Sequence, residues 1–207
     1  ENFLFSWASQ SICLTKMTQY FRSLYGYFKL ISGHVTSNAA SIERPIEEGV
    51  MGSTPVQEFY KNKHVFLTGG TGFMGKVLVE KLLRSCHQLE KIYILVREKK
   101  GKTTQQRFEE IFDCVVFDRL KMEQPGFRSK VMLICGDCSK KKLGISENDL
   151  DLLRSNVNIA FHIAAIVNFE ASLPESVRAN LSATKEFVEL ATGFKALEVC
   201  SKSMTIF

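Results

Sequence analysis

From Lys63 onward, short apolar runs alternate with amphipathic stretches. "HVFLT" (64–68) and "KIYILVR" (91–97) are apolar without the every-other polar residue of a half-solvated strand, so they predict strands buried on both faces. "GFMGKVLVEKLLRSC" (72–86) puts Phe73, Val77, Leu78 and Leu82 at helical spacing. "TTQQRFEEIFDCVVFDRLK" (103–121) predicts a helix or a broken helix, and "KVMLICGD" (130–137) a third strand with its exit. "SENDLDLLRS" (146–155) opens with Ser146 and Asp149 at capping-box spacing. "VNIAFHIAA" (157–165) predicts a fourth strand, 172–194 contains a long helix, and "ALEVC" (196–200) predicts a fifth strand. Strands separated by helices imply βαβ units, and right-handed crossovers make them an α/β, doubly wound, mostly parallel open sheet. The pattern stops after about the fifth strand, so the expected sheet is truncated there. Ligands in such sheets sit beyond the carboxyl ends of the strands, which makes every strand exit a candidate site.

The first 54 residues do not share this pattern. Residues 18–31, "TQYFRSLYGYFKLI", suit a helix with a broad apolar face, for a membrane surface or for packing on a domain. Residues 39–54 have the small, charged, glycine-containing look of a linker. The expectation is an extension and linker over 1–54, outside a globular unit of 55–207, with Met51 as a candidate natural start.

Four glycines fall in 69–75, between the first strand and the first helix. Amides at a helix start lack internal partners and carry the positive end of the dipole. A phosphate satisfies both, provided no Cβ blocks its approach. Gly70, Gly72 and Gly75 fit G-x-G-x-x-G, while Thr68, Gly69, Gly72 and Gly75 fit T-G-x-x-G-x-x-G. Gly70 to Lys76 also fits most of a nucleoside-triphosphate loop. The next residue, Val77, has no oxygen to hold magnesium, and this argues against that function.

The other exits refine the ligand. An acidic residue after the second strand suits a ribose hydroxyl, and an arginine suits a 2′-phosphate. The chain reads Arg97, then Lys99, Lys100 and Lys102, which predicts NADPH rather than NADH; Glu98 is the residue that would serve NADH, and a charged solvent loop is the bland alternative. Asp137, at the third exit, offers a carboxylate to an adenine amino group, with Cys138 beside it lining the ring's pocket. Ala164 and Ala165, at the fourth, are small enough for a nicotinamide ribose to pass, or for tight helix–strand packing. His162 alternates with apolar strand residues and is expected to be a satisfied core histidine.

A hydrophobic content of 45% and a charged content of 24% describe an ordinary globular chain. The net charge of +5 fits an anionic ligand or scattered solvating lysines. The lysines cluster in loops such as 140–142, not along one helix, so nucleic acid is not expected as a partner. Six scattered cysteines suggest reduced thiols inside a cell, and Cys135 and Cys138 lack the second pair that a zinc site needs, so no metal is expected. No apolar run is long enough to span a bilayer, which takes about 18 residues or more.

These residues together resemble an extended short-chain dehydrogenase/reductase, a Rossmann-type fold. More narrowly, "VQEFYKNKHVFLTGGTGFMGKVLVEKLLRSC", "IYILVREKKGKTTQQRFEEIF", "GDCSKKKLGISENDLDLL", "VNIAFHIAAIVNF" and "ANLSATKEFVELA" resemble the reductase domain of insect-type fatty acyl-CoA reductases, over about residues 55–197. The resemblance implies NADPH as donor and a long-chain acyl-CoA as acceptor, reduced through an aldehyde to a fatty alcohol. It assigns Thr68, Gly69, Gly72 and Gly75 to the phosphate loop, with Thr71 and Phe73 among its cofactor contacts. Arg97 falls to the 2′-phosphate, Asp137 and Cys138 to the adenine side, and Ala164 and Ala165 to the nicotinamide side. Asn180 and Thr184 fit an N-x-x-G-T helix pattern with Ala183 in place of the glycine. Association of the full-length protein with the endoplasmic reticulum or peroxisomal membrane is also implied.

The pattern breaks after Leu197. The family's proton donor is the tyrosine of a Tyr-x-x-x-Lys pair after the fifth strand, and none follows here. Ser201 stands where the family has its active-site hydroxyl. Tyr25 and Lys29 have the right spacing, but they precede the first strand. The chain alone is therefore expected to bind NADPH without turnover. The alternatives are a non-catalytic, truncated dinucleotide-binding isoform, or another extended reductase such as a carboxylate reductase or a sugar-nucleotide epimerase.

Overall fold

The computed structural model describes residues 53–99, 101–166, 170 and 172–202. The expected helix over 18–31, the Met51 start and the Tyr25/Lys29 pair lie outside the described residues, as does all of the 1–54 extension except Ser53 and Thr54. Thr54 begins the described fold as the N-cap of α1 (Pro55–Tyr60). Its hydroxyl accepts from the Gln57 amide, and the Gln57 side chain accepts from the Thr54 amide.

Five parallel strands form one sheet in the order β3-β2-β1-β4-β5: β1 (His64–Thr68), β2 (Lys91–Val96), β3 (Val131–Cys135), β4 (Ile159–His162) and β5 (Val199–Lys202). The chain runs outward from β1 through β2 to β3, then crosses back to lay β4 on the other side of β1. The switch point therefore falls between β1 and β4, where Thr68 pairs in register with His162. Central strands are buried almost throughout, as their unbroken apolar sequences require, whereas edge strand β5 alternates between half-buried and exposed.

Helices cover both faces. Phe66, Tyr93, Leu95, Ile134 and Ala160 pack with Leu150 and Leu153 of α5 (Glu147–Asn156) and with Phe187 and Leu190 of α7 (Ala183–Ala191). Phe66 stacks on Phe187 at 5.9 Å between ring centroids and meets Phe194 edge-on at 6.1 Å. The alternate strand residues, Val65, Leu67, Ile92 and Ile94, are fully buried too, and the pleat turns them to the opposite layer. That layer contains α2 (Phe73–Ser85), with Val79, Leu82 and Leu83 buried. It also contains α3 (Thr104–Phe112), a 3₁₀ turn at Val115–Phe117, and α4 (Asp118–Glu123), so the expected broken helix is broken. Phe112 closes this side against Phe108, Phe117 and Phe127, with centroids 5.0 to 5.5 Å apart.

Two expectations shift. The long helix over 172–194 is α6 (Leu173–Ser176), a π-helical segment (Val177–Ser182) and α7. The widened turn holds Asn180, the one buried residue of that segment. The fifth strand starts at Val199, not at 196, because the Asn158 carbonyl takes the amides of both Glu198 and Val199 before the ladder begins. Ser201 thus sits inside β5, paired with Phe161, and not beyond it. Among the described residues no helix is long and apolar enough to cross a membrane.

Candidate functional site

The loop between β1 and α2 is shaped by what its glycines lack. Gly69 has φ +80°, and a Cβ there would lie 2.6 Å from the Ala164 amide nitrogen, so this glycine lets the exits of β1 and β4 touch. Gly72 N-caps α2 with no side-chain hydrogen bond, and its own amide donates to the Gly69 carbonyl at 3.0 Å. The first turn of a 13-residue helix thus begins behind a loop with no side chain to cap it. Gly75 lies buried beneath the loop, where a Cβ would come within 2.2 Å of the Gly69 oxygen.

One hydroxyl braces three strand exits from below. Thr68 Oγ1 lies 2.7 Å from His162 Nδ1, accepts from the Ala164 amide at 3.4 Å, and bonds the Cys138 thiol. Burial, with Lys202 adding to it, lowers the His162 pKa to about 4, so the imidazole is neutral at physiological pH. The expectation of a satisfied core histidine is met at Nδ1 alone, since Nε2 is buried without a hydrogen-bond partner among the described residues. Burial, then the Asp137 charge, push the Cys138 thiol up to about 11. It is no thiolate nucleophile at neutral pH.

A cleft of about 620 Å³ opens over these exits. Gly69, Thr71 and Gly72 line it from the glycine loop, Arg97 and Lys99 from the exit of β2, and Asp137, Cys138 and Ser139 from that of β3. Ala164 and Ala165 line it from the exit of β4. The cleft thus gathers eight of the expected site residues. Thr68 is not in its lining, because the side chain is consumed in the brace below. Gly75 is buried in the loop–helix contact, and Phe73 begins α2 with 47% of its surface exposed, outside the lining. Ser201 on β5 is not in the lining either.

Asp137 is held as a carboxylate. Burial favours its neutral form. The amide and hydroxyl of Ser139, at 2.9 and 2.8 Å, with Arg97 and Lys140, outweigh that and lower the pKa. Its backbone is fixed by a left-handed turn through Lys142, Leu143 and Gly144, with φ of 50°, 55° and 59°. Burying Leu143 completely offsets that strain, and the Leu143 carbonyl accepts from the Asp137 amide at 2.7 Å. The Arg97 guanidinium stands 3.7 Å from the carboxylate.

The structure adds residues that the sequence left unremarked. Arg107, on the first turns of α3, reaches back to donate to the Arg97 carbonyl and, at 3.4 Å, to Thr71 Oγ1. Ser172, Glu175 and Arg178 line the far wall from one face of the helix after β4. The signal for Arg107 was available, since side chains on a helix point toward its N-terminus. Asn180 holds the wall itself: its Oδ1 accepts from the Ile166 amide at 2.9 Å, and its Nδ2 donates to the Ile166 carbonyl at 3.1 Å.

Comparison with known proteins gives a consistent result. A family model described as male sterility protein, an NAD-binding domain, matches residues 67–205. The chain is 46% identical over 144 residues to fatty acyl-CoA reductase 1 of Homo sapiens, covering 70% of this chain and 28% of that protein. It is 42% identical over 158 residues to the fatty acyl-CoA reductase wat of Drosophila melanogaster, covering 76% of this chain and 30% of that one. Among solved structures, the terminal R domain of the myxalamid PKS-NRPS pathway matches with a TM-score of 0.54 at 26% identity, over 69% of this chain and 34% of that one. The reductase domain of a nonribosomal peptide synthetase from Mycobacterium tuberculosis matches at 0.52 and 26%, over 69% and 33%. The chain spans under a third of the length of these curated relatives.

Proposed function

The chain belongs to the male sterility protein family of NAD-binding domains, and on that premise we propose that it is the dinucleotide-binding part of an NADPH-dependent reductase that converts long-chain fatty acyl-CoA to fatty alcohol. A nicotinamide dinucleotide follows from the family. NADPH and the acyl-CoA substrate are the finer proposal. The observation that carries the cofactor is the uncapped start of α2 behind Gly69 and Gly72, at the switch between β1 and β4. A helix start without a side-chain cap, the helix dipole and the missing Cβ atoms suit a pyrophosphate.

From there the residues divide the ligand. Asp137, kept ionised, suits an adenine amino group. Arg97, 47% exposed at its side chain and lining the cleft, suits a 2′-phosphate. Ala164 and Ala165, held by the Thr68 and Asn180 bonds, leave the opening for the nicotinamide half. When bound, the nicotinamide supplies the hydride for the acyl carbonyl. The residues of this chain bind and orient it. The fatty acyl-CoA substrate rests on the relatives' names and is a property proposed of the whole protein.

Thermal melting and calorimetry with NADPH against NADH test the cofactor reading. The wild-type chain is expected to be stabilised more by NADPH. Arg97→Ala should cut the preference by roughly tenfold, the scale of one charge-assisted pair. An unchanged ratio would mean that Arg97 is merely solvated.

A further inference from the structure

The loop that leaves β3 closes on itself. The Leu143 carbonyl accepts from the Asp137 amide at 2.7 Å, the Asp137 carbonyl from the Lys140 amide at 3.0 Å, and the Lys140 carbonyl from the Leu143 amide at 3.0 Å. This closure needs left-handed backbone at two residues other than glycine, Lys142 (φ 50°, ψ 30°) and Leu143 (φ 55°, ψ 20°). Such backbone is disfavoured for any residue with a Cβ and persists only where its surroundings over-determine it. Leu143 is compensated by complete burial in the core that holds Ile134, Leu150 and Phe187. Lys142 is exposed and has no such compensation. Its ammonium pairs with Glu147 at 2.8 Å, but the two side chains are 54% and 66% exposed, and such a pair contributes little. The contact that holds its backbone is made by its amide, which donates to Glu186 Oε2 at 2.7 Å, 44 residues further along the chain.

A carboxylate is the stronger kind of acceptor for an amide. Glu186 stands on the first turn of α7, whose rotation is fixed by the burial of Ala183, Phe187 and Leu190. The π-helical segment before α7 carries Asn180, which holds the exit of β4 through Ile166. One helical run therefore ties down two strand exits, that of β4 through Asn180 and that of β3 through Glu186. We infer that Glu186 is a positioning residue. By holding Lys142 in its left-handed conformation, it keeps the Leu143 carbonyl on the Asp137 amide and so sets where the Asp137 carboxylate stands in the cleft. Glu186 is not in the lining of the cleft, so it acts only through this loop. The inference rests on the dinucleotide reading above for the ligand that Asp137 meets, and deepens it.

The test compares the chain with Glu186→Ala, Glu186→Gln, and Glu186→Ala combined with Lys142→Gly. Amide hydrogen exchange reads the loop, and calorimetry with NADPH and 2′,5′-ADP reads the site. Glu186→Ala should speed exchange at the Asp137 and Lys142 amides by about fivefold or more and leave α2 unchanged. It should weaken both ligands by one common factor of about three- to tenfold, the scale of one charge-assisted hydrogen bond. The melting midpoint should move by about 2 °C at most, because alanine is a good helix residue. Glutamine keeps an oxygen acceptor without the charge and should recover part of the loss; should the alanine variant not fold, it carries the same readings. Glycine takes left-handed backbone without strain, so the double variant should recover most of the loss. A double variant as weak as Glu186→Ala overturns the inference. Unchanged exchange at Asp137 also overturns it, as does exchange that rises equally across the domain. Loosening at Asp137 with undiminished binding, or a loss confined to NADPH, overturns it too. A folded wild type that binds neither ligand overturns the dinucleotide reading, and exchange at Asp137 then decides the positioning by itself.

Discussion

Gly75→Ala is expected to lower the melting midpoint by roughly 4–8 °C and to abolish measurable NADPH binding. A Cβ on residue 75 would lie 2.2 Å from the Gly69 oxygen, 2.7 Å from Gly70 Cα and 2.8 Å from the Gly69 carbonyl carbon. All three are backbone atoms, so no rotamer change gives relief, and the loop must lift from the helix. Overpacking of this kind costs about 1–3 kcal/mol and occasionally more, with strain against main chain at the upper end. The intrinsic gain of alanine over glycine inside a helix, about 1 kcal/mol, offsets only part of it. For a domain of this size each kcal/mol is about 2–4 °C. Binding should suffer more than stability, because the lifted loop is the proposed phosphate cradle. Gly126→Ala is the control: a Cβ there meets nothing within 4 Å, and little change is expected. Circular dichroism melts and NADPH titration of both variants check the pair. A Gly75→Ala chain as stable as wild type would mean that the loop yields at no cost.

The glycine loop was the most legible feature because its chemistry is local. A strand, four glycines and a helix within about twenty residues state the turn, and the all-parallel sheet followed from unbroken apolar runs such as 64–68 and 91–97. The exits naming Arg97, Asp137 and Ala164 were legible because topology alone sends strand ends to one crevice. What stayed hidden depends on contacts distant in sequence. Thr68 ends the first strand and was assigned to cofactor binding, but its partner His162 is 94 residues away. Arg107 went unremarked because its contact with the Arg97 carbonyl depends on how α3 docks beside β2. The fifth strand was misplaced because "ALEVC" satisfies the apolar pattern, while the side chain and carbonyl of Asn158 decide where pairing begins. The π-helical segment has no compositional sign, and it is read only from where Asn180 points.

Asn180→Ala should destabilise the chain by about 2–4 kcal/mol and weaken NADPH more than 2′,5′-ADP. The side chain is 7% exposed and bonds both the amide and the carbonyl of Ile166. Alanine leaves two half-buried backbone groups without partners, at about 1–3 kcal/mol each before partial rescue by water. The segment so released, 163–166, carries Ala164 and Ala165, which line the side of the cleft proposed for the nicotinamide. The proposed adenine side rests on Arg97 and Asp137, which Asn180 does not touch, so a probe lacking nicotinamide should be nearly indifferent to the change. Asn180→Asp is instructive because it keeps an acceptor for the Ile166 amide but turns a carboxylate toward the Ile166 carbonyl. It should be no better than alanine, since leaving an acceptor facing an acceptor costs as much as leaving it alone. Parallel titrations of the two ligands separate the local effect from the global one. If NADPH and 2′,5′-ADP weaken by the same factor, Asn180 acts through overall stability alone, and the exit of β4 is not the part of the cleft that it positions.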